Sequence, residues 1–240
     1  MSGEAPMADD ARQSEDHARA IVALIHHVET MTELATGMVA DGTKALLEND
    51  AALARSVTGR DTALDKFDID IEAEVIRLMA IIQPEGHDLR TLGATLKIAN
   101  CVDRVGRLGY DLAQQLSTSP PPADRSHEDL IRQMDVHSRK MVEQSIHAFV
   151  HHDSEEAKQV LLMDDDVDQL HEDVQRRLIA LLQKGGLSTE RLAHELLAAR
   201  HLERVGDNAC KIAEKAVYAI TGERRTEYFP ALAHRQAPES

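Results

Sequence analysis

Aromatic residues are scarce in this sequence: three Phe, three Tyr and no Trp occur among 240 residues. A core without them must be built from Ala, Leu, Val and Ile, which suits closely spaced helices better than a β-sandwich. Proline (7) and glycine (12) are also few, and several of them cluster at apparent breaks. There are two cysteines, Cys101 and Cys210, and no CxxC pair. That excludes a disulfide framework and reads as two small reduced core residues of a cytoplasmic protein. Positive charge is the other shortage: 27 Lys and Arg stand against 42 Asp and Glu, a net charge of −15. Direct nucleic-acid binding needs clustered basic residues, and this balance argues against it. The acidic excess favours solubility, cation binding or docking onto a basic protein surface. No run approaches the ~18 uncharged apolar residues of a membrane span. The segment Met1 to Asp16 is polar and acidic, unlike a signal peptide.

What the sequence does have is a repeat. Asp103-Arg104-Val105-Gly106 returns 100 residues later as Glu203-Arg204-Val205-Gly206. At an offset of 103, Met38-Val39 matches Met141-Val142, and Asp50 matches Asp153. At the same offset Leu64, Phe67, Ile71, Val75 and Leu78 match Val167, Leu170, Val174, Leu178 and Leu181. These positions step by 3, 4, 4 and 3, one stripe of an α-helix. Six helices are expected: about 9–48, 50–83, 88–117, 126–152, 153–185 and 188–222. The predicted fold class is all-α, two tandem three-helix bundles related by the internal repeat. Residues 1–118 form the first bundle behind a short disordered N-terminus, 119–124 a Pro-rich linker, 125–222 the second bundle and 223–240 a flexible tail.

Acids fall at matching places on these helices. Glu203 lies at the edge of the apolar arc of the sixth helix, with Asp207 one turn on; Asp164 and Asp168 do the same on the fifth, and Asp61 and Asp65 on the second. Spacing of i, i+4 puts both carboxylates of a pair on one side, and their repulsion rises where a neighbouring helix partly desolvates them. Two such rims packed together would gather four carboxylates, which a divalent or trivalent cation satisfies. Magnesium, manganese, calcium, zinc and iron all remain open. The same residues also read as solvated helix edges, with Arg204 placed to pair with Asp207. His171 and its first-half counterpart Asp68 are ligand-capable types near the pairs, whereas His26-His27 and His151-His152 read as surface residues. Gly106 and Gly206 lie inside helices, where close approach of a neighbouring helix is the simplest reason for a residue that costs about 1 kcal/mol relative to Ala. No nucleophile elbow, phosphate loop, Rossmann fingerprint or HExxH is present, so an enzyme is not expected.

The motif Glu203-Arg204-Val205-Gly206-Asp207, followed by Ala209, Ile212, Ala213 and Glu214, resembles the third-helix motif of the PhoU family of phosphate-uptake regulators. The acid pairs Asp61 to Asp65 and Asp164 to Asp168 resemble the family's acid-x-x-x-Asp elements, and the resemblance covers residues from about 15 to 222. It implies a cytoplasmic, non-enzymatic regulator that acts with the phosphate ABC transporter ATPase and a phosphate-sensing histidine kinase. It implies negative regulation of the phosphate-starvation response, a homodimer, and metal bound through the acid motifs. The implied ligands are Asp164, Asp168, Glu203 and Asp207 in the second half and Asp61, Asp65 and Asp103 in the first. Two departures stand out. Arg107 replaces the final acid of the first motif, removing a ligand and adding positive charge, so the first site is expected to be weak or absent. Lys211 stands where the family often has Asn. A metal-storage protein and a helical scaffold without a phosphate role are the competing readings.

Overall fold

The structure, a computed structural model, describes residues 5–119 and 122–224, with side chains described from Glu15 onward. Eight helices run through the described residues: α1 Ala5–Glu48, α2 Ala51–Thr58, α3 Asp61–Ile82, α4 Gly86–Ala113, α5 Ser126–Val150, α6 Ser154–Leu162, α7 Asp164–Gln183 and α8 Thr189–Thr221. The architecture is the expected pair of three-helix units, with one refinement repeated in each. The second helix of each unit is kinked into a short and a long piece, α2–α3 and α6–α7. Residues 1–4 and the expected tail beyond Arg224 lie outside the described residues, as do 120 and 121 of the linker. The helix expected from about Asp9 begins at Ala5.

The kinks fall at the same place in the repeat, Gly59-Arg60 and Met163. All three residues keep right-handed helical backbone angles, but the Arg60 N–H bonds to the Val57 carbonyl and the Met163 N–H to the Val160 carbonyl, three residues back. That tightened turn leaves the apolar stripe in phase, so periodicity alone does not reveal it. Acids begin the helix again on the far side, where the positive end of the peptide dipoles favours them. Upstream, Asp50 and Asp153 cap α2 and α6 with bonds from two backbone N–H groups each, at 2.8–3.0 Å. Each cap follows a residue in the left-handed region, Asn49 at φ 54° and His152 at φ 56°.

Four long helices make the centre. α1 runs parallel to α4, with residues 17–25 beside 87–91 and Gly42 beside Gly109. α5 runs parallel to α8, since His127 meets Glu195 and Met141 meets Gly206. The two pairs join antiparallel, α4 to α8 through Arg90–Ala219 and Gln115–His194, and α1 to α5 through Thr43–Asp135 and Leu47–Arg125. One continuous core fills both halves, with Leu, Val, Ile, Met and Ala at most positions and Phe149 the one fully buried Phe among the described residues. Both cysteines are buried and form no disulfide, and burial pushes the Cys101 thiol up from its ordinary value. Among the described residues no helix is long and apolar enough to cross a membrane.

The close approach expected at both motif glycines occurs at one of them. A Cβ on Gly106 would lie 2.4 Å from Leu64 Cδ2, whereas at Gly206 the nearest atom, Asp164 Oδ1, is 3.6 Å away, an ordinary contact. The tightest backbone approach is elsewhere, between Gly42 on α1 and Gly109 on α4.

α4 stops at Ala113 rather than near 117: the Gln114 and Gln115 N–H groups bond only three residues back, and the donors of Ser117 to Ser119 turn toward α8. The Glu190 carboxylate accepts from Thr118 N and Thr118 Oγ1, both at 2.9 Å, from Ser119 Oγ at 2.6 Å and from Ser117 Oγ at 3.3 Å. These bonds hold its pKa down to about 2, from an ordinary 4.5. A depressed folded-state pKa means that the clamp contributes fully above about 4.5 and is lost as pH falls toward 2. The Thr118 amide signal, followed by NMR through an acid titration, should therefore move with a midpoint near 2. A midpoint at the ordinary carboxylate value would mean that Glu190 does not hold the linker.

Candidate metal-binding carboxylate clusters

The kinks decide how the acids are presented. Asp61 and Asp164 are the first residues of α3 and α7, and Asp65 and Asp168 follow one turn later on the same side. Asp103 and Arg107 face the first pair from α4; Glu203 and Asp207 face the second from α8.

In the first half Arg107 fills the space between the acids. Its Nε donates to Asp103 Oδ2 at 3.0 Å and its NH2 to Asp65 Oδ1 at 2.5 Å, while NH1 lies 3.5 Å from Asp61 Oδ1. One guanidinium thus reaches the partner one turn back and both partners across the helix interface, and the hydrogen bond to Asp103 above all holds its pKa above the ordinary value. A planar fork with donors on several edges suits three carboxylates better than an ammonium would. Asp68 is drawn into this group: burial, then Asp103 and Glu72, push its carboxyl up, while Arg107 opposes the shift. The other Asp103 oxygen is buried without a hydrogen-bond partner. These residues do not fit a metal, because the cation's place is taken by a covalently attached one.

In the second half no arginine enters from the Asp207 position. Asp164 Oδ1 lies over Gly206, and Asp168 lies close enough to the α8 acids to feel them. Burial, then Glu203, Asp207 and Asp165, push the Asp168 carboxyl above its ordinary value, with His171 acting the other way. Glu203 and His171 are mostly buried, at 17% and 14% side-chain exposure, with 3.6 Å between Oε2 and Nδ1. Arg200 pairs with Glu203 from the outside, a contact that its i, i−3 position in the sequence would have disclosed. The Arg204–Asp207 ion pair that their i, i+3 spacing permits does not form among the described residues; the Arg204 backbone carbonyl accepts from Asn208 Nδ2. Nor does Lys211 pair with any of the four acids; it lies near Cys101 on α4. The donor set is therefore four carboxylates and one imidazole, crowded enough to raise one pKa, which is the chemistry a hard cation relieves. As they stand, no three His, Cys, Asp or Glu side chains among the described residues converge tightly enough to enclose an ion.

The fold and the doubled motif find their counterpart in one known family. The model of the PhoU domain matches residues 28–116 and again residues 131–216. This chain belongs to the PhoU family. It is 31% identical over 196 residues to the phosphate-specific transport system accessory protein PhoU homolog of Aquifex aeolicus, covering 80% of this chain and 87% of the relative. A homolog of the same name from Rhizobium meliloti is 30% identical over 204 residues, covering 83% and 84%. The crystal structure of PhoU from Pseudomonas aeruginosa matches with a TM-score of 0.79 at 25% identity, over 86% of this chain and 99% of that one. Each PhoU domain match carries one of the two clusters, so within one PhoU chain the first cluster holds its own guanidinium and the second holds acids facing acids.

Proposed function

We propose that this PhoU-family protein is an accessory regulator of phosphate uptake that holds the phosphate-starvation response off when phosphate is plentiful. It does so by coupling the ATPase of the phosphate ABC transporter to a phosphate-sensing histidine kinase, as a cytoplasmic, non-enzymatic homodimer. The observation that carries this reading is the PhoU domain occurring twice over most of the chain. Relatives that align over most of their length are named as phosphate-specific transport system accessory proteins, which supports it. Affinity purification from cells grown in high phosphate should recover the transporter ATPase and the kinase. Deleting the gene should raise a phosphate-starvation reporter under the same conditions. Absence of both partners together with an unchanged reporter would discard the role.

We further propose that Asp164, Asp168, Glu203 and Asp207 hold a divalent or trivalent metal ion, with His171 at the margin, and that Asp61, Asp65 and Asp103 do not. Elemental analysis after loading with iron or manganese measures this. Asp207→Ala combined with Asp164→Ala should lose the bound metal, Asp61→Ala should not, and Arg107→Asp should increase the metal bound per chain. Full retention of metal by the Asp164/Asp207 variant would rule out the second-half site, and with it the metal-storage reading.

A further inference from the structure

Positive charge is scarce in this protein, yet four of its 27 Lys and Arg residues line a single cleft. A cleft of about 710 Å³ opens between the N-terminal part of α4 and the C-terminal part of α8. Arg90 and Lys97 enter it from α4, Lys215 from α8 and Arg224 from just beyond α8, against a single acid, Glu214. Four cations in one cleft contrast with the −15 carried by the whole chain. Arg90 is held in place: its Nε donates to the Ala219 carbonyl at 3.3 Å, at the end of α8. Lys97 and Lys215 make no ion pair among the described residues, so their ammonium groups are available to an incoming anion. The rest of the lining is apolar or aromatic, with Met79 from α3, Leu89, Gly93 and Ala94 from α4 and Tyr218 from α8. Leu89 is 48% exposed, an apolar surface at the edge of a cationic cleft.

We propose that this cleft binds a small organic phosphate of the nucleotide class, with the phosphate groups on Lys97, Lys215 and Arg90 and the base against Tyr218, Met79 and Leu89. Inorganic phosphate would use the cations but leave most of the volume and all of the apolar lining empty. A flat heterocycle joined to a polyphosphate matches both halves of the lining. The volume falls within the ~300–1,000 Å³ typical of small-molecule sites. Arginine and tyrosine offer planar faces on which a base stacks. Because α4 belongs to the first half and α8 to the second, the occupant would bridge the two units. The site is separate from the carboxylate clusters and does not depend on the transporter reading. Lys215 lies eight residues beyond Asp207, about 12 Å along α8.

The test uses the full chain and ATP, with EDTA present so that no metal can carry ATP to the carboxylate clusters. Millimolar ATP should raise the midpoint of thermal unfolding by about 5 °C. Inorganic phosphate at the same concentration should raise it far less. Calorimetric titration should give at least tenfold weaker ATP binding for Lys97→Glu/Lys215→Glu, and Tyr218→Ala should weaken ATP binding but not phosphate binding. In case the charge-reversed variant fails to fold, hydrogen exchange on the wild-type protein remains decisive, with ATP-dependent protection expected at residues 89–97 and 214–221. The proposal is overturned if ATP neither shifts the midpoint nor titrates, if phosphate matches ATP, or if protection falls elsewhere on the chain.

Discussion

Gly109→Ala is expected to cost about 3 kcal/mol, at the upper end of overpacking losses. The added Cβ would lie 2.5 Å from the Met38 carbonyl carbon and 2.6 Å from Val39 N, where ordinary contact begins near 3.4 Å. Backbone cannot swing aside as a side chain does, so α1 must retreat by about 1 Å along a contact that also includes Gly42. Met38 and Val39 are fully buried, and the retreat would loosen them from the core they share with α4. Gly206→Ala is the matched control. Nothing lies closer than 3.6 Å to its Cβ, so the gain in helix propensity, up to about 1 kcal/mol, has little to oppose it. Urea unfolding of the two variants checks the pair. Equal stability for Gly109→Ala and the parent would mean that the α1–α4 approach is not as close as described.

Glu195→Ala should be at least as damaging, at about 3–5 kcal/mol, because it strands buried charge. Glu195 is 1% exposed, Arg191 3% and His127 fully buried. Arg191 NH1 donates to Glu195 Oε1 at 3.1 Å, and His127 Nε2 lies 2.9 Å from Glu195 Oε2. Arg191 also reaches the Ser119 carbonyl, so the group ties the starts of α5 and α8 to the linker between the halves. Removing the carboxylate alone leaves a guanidinium buried without its counter-ion. Removing both charges, as in Arg191→Met/Glu195→Leu, should recover most of the loss, since apolar replacement of a whole buried pair is often neutral. Denaturant melts of the single and double variants distinguish these outcomes. A double variant no better than Glu195→Ala would show that packing, not stranded charge, sets the cost.

Much of this protein is legible in its sequence. The shared offset of the apolar stripes requires two similar helical units, because a repeat in burial pattern demands a repeat in the surface that covers it. The i, i+4 pairing of Asp61 with Asp65, of Asp164 with Asp168 and of Glu203 with Asp207 follows from helical geometry, and the oddity of Arg107 from comparing the two copies of the motif. Other features are silent in any local pattern. The kinks at Arg60 and Met163 keep helical dihedrals, so they leave the period of the stripe intact while turning Asp61 and Asp164 into helix-initiating residues. The glycine that matters most for packing, Gly109, lies outside the repeated motif, because its role depends on how closely one other helix approaches.

Periodicity reports which face of a helix is buried, and it does so from the sequence one helix at a time. It does not report which helix covers that face, at what distance, or which distant side chains meet there. The three contacts of Arg107, the buried His127–Glu195–Arg191 group and the cationic cleft between Lys97 and Lys215 each join residues from separate helices. Their chemistry exists only once α4 and α8 have packed against their neighbours, because charge and steric contact act through space and not along the chain.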